Sequence, residues 1–176
     1  MFKFSLIVAF IILLNSCALM GIFLRDNLHI KKVDQTSSIN KINLKVDGVF
    51  VFDQEMNTYF TRNFLFLFRN GTCYYWGYGA SNEEEKKYAE KLYFEQNNLP
   101  QSSPIGWGIY KIVSDSLHIE YWSSGFGTKY ARNSLKGKVL NENTIQMDIN
   151  KRELISAIFI YQPLKIKPDS TNRFVK

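Results

Sequence analysis

Phe64-Leu65-Phe66-Leu67-Phe68-Arg69-Asn70-Gly71-Thr72-Cys73-Tyr74-Tyr75-Trp76 sets two apolar, aromatic runs on either side of an Asn-Gly pair. Aromatic side chains suit a pleated, half-buried surface, so both runs predict strands. Asn-Gly predicts the reversal between them, because a two-residue type I′ turn needs positive φ at both central positions and this pair adopts it at least cost. With that turn Arg69 pairs with Thr72, Phe68 faces Cys73, Phe66 faces Tyr75 and Phe64 faces Gly77. Cys73 is then expected among the three phenylalanines. Leu65, Leu67, Tyr74 and Trp76 fall on the opposite face, so the hairpin is apolar on both sides and needs cover on each.

Outward from the hairpin, short β segments recur at 48–53, 59–69, 72–78, 106–113, 117–123, 130–140, 144–150 and 155–161. Eight strands of this kind suffice for a mainly β fold, an antiparallel eight-stranded barrel or half-barrel. Ser114-Asp115-Ser116 and Asn141-Glu142-Asn143 supply turns, and Ile145, Met147 and Ile149 alternate with polar residues as on a sheet with one wet face. One inserted helix is expected around 82–97. Ser81 and Glu84 form a capping box, Tyr88, Ala89, Leu92, Tyr93 and Gln96 share a stripe, and Pro100 and Pro104 stop the helix. This helix is the candidate cover for the outer face of the hairpin.

The aromatic share of 15%, from 14 Phe, 10 Tyr and 3 Trp, favours strands over a helical bundle. A formal charge of +6 does not make the folded part strongly basic, because Lys165, Lys167, Arg173 and Lys176 stand in the tail against Asp169 alone. Charges elsewhere are mixed, as in Glu83-Glu84-Glu85-Lys86-Lys87, and no element concentrates Lys and Arg among aromatics. No nucleic-acid partner is expected. Attraction of the basic tail to anionic headgroups is the one electrostatic role that the charge suggests.

At the N-terminus Lys3 precedes an uninterrupted apolar run over 4–14, followed by the small and polar Asn15 and Ser16. That is the pattern of a secretory signal peptide. Leu14-Asn15-Ser16-Cys17 resembles the lipobox of bacterial lipoprotein precursors. The resemblance implies that Cys17 is the lipid-attachment residue, that the preceding sixteen residues are removed, and that acyl chains such as palmitate join the new terminus to membrane lipid. More than one chain gives stable anchoring. Ala18, where inner-membrane retention would favour Asp, implies the outer membrane. The alternative is an uncleaved transmembrane anchor with an exported domain, since the apolar run resumes at 18–24 and 4–24 is long enough to span a bilayer. The expected organisation is a signal peptide at 1–16, a lipidated tether at 17–41 with one short strand near 28–33, a β domain at 42–162 and a basic flexible tail at 163–176.

The order of Gly48-Val49-Phe50, Asn70-Gly71-Thr72, Gly106-Trp107-Gly108-Ile109-Tyr110 and Ser114-Asp115-Ser116-Leu117-His118-Ile119 resembles the lipocalin-like domains of bacterial envelope lipoproteins over about 44–161. What that resemblance implies is a β-barrel or half-barrel, not a particular ligand.

Chemistry-bearing residues are sparse. His29 and His118 are the two histidines, and no Cys-x-x-Cys occurs, so neither a metal site nor a cofactor is expected. His118 shares a strand face with Glu120, read as a solvated pair rather than as metal ligands. Cys73 has no intrachain partner once Cys17 carries lipid, and burial among phenylalanines would suppress its thiolate. Ser123-Ser124-Gly125-Phe126-Gly127 precedes no helix, which argues against a nucleophile elbow or a phosphate cradle. Asp115-Ser116-Leu117 resembles the short O-glycosylation acceptor of some Gram-negative bacteria, whereas Asn70-Gly71-Thr72 is needed as a turn. No catalytic residue can be named, and an enzyme is not expected. Trp107, Tyr110, Tyr121 and Trp122 are numerous enough to line a cavity or to fill a core. Two functions therefore stand open. One is a barrel that binds a small apolar or amphiphilic ligand, and the other is a filled barrel whose surface contacts an envelope protein.

Overall fold

The computed structural model describes residues 28, 32–56, 59–91, 99–125, 130–150, 155–165, 168–170 and 175. Eight strands, β1 (Gly48–Met56), β2 (Tyr59–Leu67), β3 (Thr72–Ala80), β4 (Trp107–Val113), β5 (Ser116–Ser124), β6 (Tyr130–Asn141), β7 (Thr144–Asn150) and β8 (Ile155–Pro163), pair in sequence order as a closed antiparallel barrel. Closure comes from β1 against β8, where Phe50 pairs with Tyr161 and Val51 with Ile160. Two short helices, α1 (Thr36–Lys41) and α2 (Glu83–Glu90), accompany the barrel among the described residues. No helix among them is long and apolar enough to cross a membrane. The short strand expected near 28–33 is not formed at the positions described, namely Leu28, Lys32 and Val33.

The central hairpin forms where the sequence places it, but in a different register. Phe68 C=O accepts the Gly71 N–H at 3.0 Å, and Phe68 N–H donates to Thr72 C=O at 3.0 Å, leaving Arg69-Asn70-Gly71 as a three-residue loop. Gly71 has φ +82°, while Asn70 is not among the residues of positive φ. This is the arrangement of a type I turn followed by a left-handed glycine bulge. Asn70 makes it favourable by accepting, through Oδ1, from the Thr72 N–H at 3.1 Å and from the Thr72 hydroxyl at 2.7 Å. Consequently Leu67 faces Cys73, Leu65 faces Tyr75, Phe66 faces Tyr74 and Phe64 faces Trp76. One extra loop residue moves β3 by one position relative to the expected pairing, which exchanges its faces. Cys73 thus lies with Leu65 and Leu67 inside the barrel, and not among Phe64, Phe66 and Phe68.

Both faces are buried, by different means. The interior is filled by Phe50, Leu65, Leu67, Tyr110, Ile119, Met147 and Phe159 together with neighbouring aliphatic side chains. Outside, Phe64, Phe66, Phe68, Tyr74, Trp107 and Ile109 form a second cluster, covered by Leu99 and Val175 with Leu28 and Leu164 at its margin. The expected helical cover lies against β3, but its stripe is described only at its start. Tyr88, the first residue of the expected stripe, is 71% exposed, and 92–98 lie outside the described residues. The N-cap is also one residue later than expected. Asn82 Oδ1 accepts from Glu85 N–H at 2.9 Å, and Glu85 reaches back to the Ser81 N–H and hydroxyl.

One end of the barrel is plugged by the segment read from sequence as a tether. Ile39 of α1, with Leu44 and Val46, belongs to the interior core. Gln35 ties this segment down: its N–H donates to Arg69 C=O at 2.7 Å and its Oε1 accepts from Ile112 N–H at 3.0 Å. The latter bond occupies the β4 edge beyond the start of β3. The region read as a flexible tail also takes part, since Val175 is 5% exposed and the Ser170 hydroxyl accepts from Asn70 Nδ2 at 3.1 Å.

Two substitutions test these contacts. Ile39→Ala, which leaves a cavity in the plug, should lower the unfolding free energy by about 2–4 kcal/mol. Gly71→Ala should lower it by about 2 kcal/mol or more, because the left-handed conformation alone costs about 1–2 kcal/mol and the new Cβ would sit 2.2 Å from the Val33 carbonyl oxygen. Urea titration measures both, and an unchanged midpoint for Ile39→Ala would show that α1 is not integral to the barrel.

Candidate functional site

The end of the barrel opposite the Ile39 plug is open between β3 and β5. The opening follows from the short β4. Its pairing with β3 runs only from Thr72 opposite Ile109 to Tyr74 opposite Trp107. Ahead of β4 the chain turns at Gly106, with φ +84°. There Gly106 N–H donates to Trp122 C=O at 2.7 Å, and Gly106 C=O accepts from Tyr75 N–H at 2.8 Å. A Cβ at Gly106 would meet the Tyr74 ring at 2.6 Å and the Tyr75 carbonyl at 2.9 Å, so a side chain there would push the two segments apart. Past this point β3 continues to Ala80 and β5 to Ser124.

The gap is a cleft of 390 Å³ with walls formed by Thr61, Asn63, Tyr75, Trp76, Gly77, Tyr78, Gly79, Tyr121 and Ser123. Register explains its shape. Asn63 pairs with Gly77 and Thr61 with Gly79, so on the inner face each polar side chain of β2 lies beside a residue without one. A Cβ at Gly77 would meet Asn63 Oδ1 at 2.4 Å, so glycine lets Asn63 lie across β3. Tyr75 and Tyr121 meet edge-on with ring centroids 5.0 Å apart, and Tyr75 also approaches Phe159 at 6.4 Å. The cleft is therefore shallow. Beneath it, fully buried Cys73, Leu65 and Tyr110 fill the barrel.

The electrostatic character of the cleft is neutral and protic. Among the described residues no charged side chain lines it. Burial, with the neighbouring Tyr121 as a smaller cause, raises the Tyr75 phenol well above its ordinary range. Burial and then nearby Cys73 raise that of Tyr121. Both hydroxyls therefore stay protonated and able to donate near neutrality. Below them burial alone raises the Cys73 thiol far above its usual range, which removes the thiolate a nucleophile would need.

The residues singled out in the sequence are mostly elsewhere. Of the four candidate cavity aromatics only Tyr121 reaches the cleft. Tyr110 is in the interior core with its hydroxyl donating to Phe68 C=O at 2.8 Å, and Trp107 is in the outer cluster. Trp122 is buried at 3% exposure. His118 and Glu120 do share the outward face of β5, but Glu120 is 5% exposed and is not the solvated residue expected. Among the described residues no three His, Cys, Asp or Glu side chains gather as metal ligands would. Ser116 is exposed beside Asp115, which pairs with Lys138 at 3.1 Å. Cys17 and His29 lie outside the described residues. Ser123, at the end of the expected strand 117–123, is a cleft residue of β5, and Thr61, Asn63, Gly77 and Gly79 were not read as site residues. Their signal was the alternation Gly77-x-Gly79 within an aromatic strand, but it gains meaning only once the register places Asn63 and Thr61 opposite.

No protein-family profile, curated protein or solved structure matches the chain.

The buried acids set the alkaline stability. Cys73, Tyr75 and Tyr110 all have folded-state pKa values raised by burial, so the folded form retains protons that the unfolded chain releases. Their contribution is complete below the unfolded values and declines as pH rises through about 8.5 for Cys and then about 10 for Tyr. Stability measured by urea should fall from pH 8 to pH 11, and Cys73→Ala should remove the part of the slope that begins near pH 8.5. In the native protein at pH 8, Cys73 should react with a thiol reagent only as fast as the protein unfolds.

Proposed function

We propose that the protein is a lipid-anchored β-barrel of the bacterial cell envelope that takes a small amphiphilic molecule in the cleft at its open end. The anchoring part of this reading rests on Leu14-Asn15-Ser16-Cys17, which resembles a lipobox and makes Cys17 the attachment point, with the outer membrane as the membrane implied by Ala18. The binding part rests on one observation, the cleft of 390 Å³ flanked by both aromatic rings and hydroxyl groups. Pockets of roughly 300–1,000 Å³ with an apolar body and a few convergent polar groups are the usual form of small-molecule sites. The filled core beneath limits the ligand to one that lies across the mouth, so a long acyl chain threaded along the barrel axis is not the substrate class. Among the described residues no acid, base or nucleophile is arranged for catalysis at the cleft, and the role proposed is binding.

The anchor is tested by mass spectrometry of protein from the membrane fraction, where an acylated Cys17 at the N-terminus is expected. Recovery of a peptide containing Met1 or Lys3, or unaltered processing and membrane retention of Cys17→Ser, would favour the spanning anchor. The binding role is tested by native mass spectrometry of the gently extracted protein. A co-purifying small molecule that is lost on Tyr121→Ala is expected, whereas a ligand-free protein that instead crosslinks to another envelope protein would replace binding by the interaction role.

A further inference from the structure

The chemistry of the cleft restricts its ligand further. Resting on the reading above, we propose that the cleft recognises a neutral, hydroxyl-rich ring compound, of the class of sugars and cyclic polyols, by combining hydroxyl and amide hydrogen bonds with contact against tyrosine rings.

Three observations carry this. First, among the described residues the walls contain no Lys, Arg, His, Asp or Glu. A charged ligand would lose hydration without meeting an opposite charge, which disfavours ions in a partly enclosed site. Second, the polar side chains that face the cleft from the inner side of the strands both donate and accept: the hydroxyls of Thr61, Tyr75, Tyr121 and Ser123, and the amide of Asn63. The bonds that their hydroxyls donate are long. Thr61 Oγ1 donates to Gln54 C=O at 3.3 Å, Tyr75 OH donates to Asn63 Oδ1 at 3.4 Å, and Ser123 Oγ, which also accepts from Asn133 Nδ2 at 2.7 Å, donates to Ala131 C=O at 3.4 Å. A hydroxyl-to-oxygen bond is optimal near ~2.7–2.8 Å, so these hydroxyl protons can be turned to ligand hydroxyls at little loss. A hydrocarbon ligand would cover the same groups without offering partners.

Third, the β3 backbone edge faces the site. Tyr75 N–H points across to Gly106, and by the two-residue alternation of a strand the peptide groups of Gly77 and Gly79 point the same way, into the gap beyond the end of β4. Glycine at both positions lets a ligand approach that edge closely. The edge-on pair Tyr75 and Tyr121 supplies the apolar surface on which the C–H face of a ring can rest. The volume of 390 Å³ lies at the small end of the roughly 300–1,000 Å³ range for ligand pockets, which suits a compact ring compound.

Isothermal titration calorimetry, rather than tryptophan fluorescence, provides the readout, because the Trp76 side chain leaves the barrel with the outer cluster while Trp107 and Trp122 are 0% and 3% exposed. The full-length chain in lipid nanodiscs is titrated with glucose, maltose and N-acetylglucosamine, with glucuronate as the anionic counterpart, with hexanol as an apolar probe and with an uncharged tripeptide. Saturable binding of at least one neutral sugar is expected, with glucuronate at least tenfold weaker. Thr61→Val and Ser123→Ala should each weaken the sugar tenfold or more while leaving the circular dichroism spectrum unchanged. Should either variant lose its native spectrum, the other, together with the glucuronate comparison on the unaltered chain, decides the matter. Equal affinity for glucuronate would overturn the proposal. Binding of hexanol with no response to any sugar would overturn it while leaving the small-amphiphile reading in place, and binding of the tripeptide alone would replace it by strand addition at the Gly77 edge. Absence of any response would overturn both readings.

Discussion

The Phe68 carbonyl accepting the Gly71 N–H fixes which way every side chain of β2 and β3 points. Side chains in a strand alternate, so a loop of three residues instead of two exchanges inside for outside along the whole of one strand. With the three-residue loop Leu65, Leu67, Cys73 and Tyr75 enter the barrel, and Phe64, Phe66, Tyr74 and Trp76 leave it. The smaller residues fit the narrow interior of an eight-stranded barrel, which side chains alone can fill. The bulkier aromatic set is left outside, where there is room but also water. The same register brings Asn63 opposite Gly77 and so creates the polar shelf of the cleft.

Putting the aromatics outside creates a second demand, since an apolar sheet face cannot remain exposed without cost. Residues outside the strands meet it. Leu28, Leu99, Leu164 and Val175 pack on the outer cluster, and Lys32 Nζ reaches the Val175 carbonyl at 3.5 Å. At the plugged end Gln35 supplies its own N–H to the loop between β2 and β3, at Arg69 C=O, and its side-chain oxygen to the Ile112 N–H of β4. The open end has no such substitute among the described residues, and the gap between β3 and β5 remains. The closed and open ends of the barrel thus differ by whether a neighbouring segment supplies hydrogen-bond partners to the staggered strand ends.

Much of the architecture was legible in the residues. The aromatic runs, the alternation of Ile145 with Met147 and the spacing of turn residues marked all eight strands, because period-two burial is a local property that each strand carries in its own sequence. The two turn residues Asn70 and Gly71 located the hairpin correctly but not its loop length, since Asn-Gly suits either a type I′ turn or, with Asn70 bonding to Thr72, a type I turn and bulge. Selection between the two depended on the strands beyond. The candidate site was hardly legible. Tyr121 was noticed for its ring, whereas Thr61, Asn63 and Ser123 are ordinary strand residues until the barrel closes and β4 falls short.

The sequence by itself determined that this chain is a strand-rich, aromatic, antiparallel fold with a reversal at Asn70 and Gly71. It is also the sole basis for regarding Cys17 as a lipid-attachment residue, since a signal and lipobox are read as linear text. Only the tertiary structure decided that Cys73 faces inward, that Ile39 plugs one end, that Val175 covers the outer wall and that a neutral cleft opens at the other end. The physical reason is range. Turn and strand preferences act between residues a few positions apart, whereas the faces, the cover and the cleft depend on which distant segments supply apolar contact and hydrogen-bond partners to strand edges that their own sequence leaves unsatisfied.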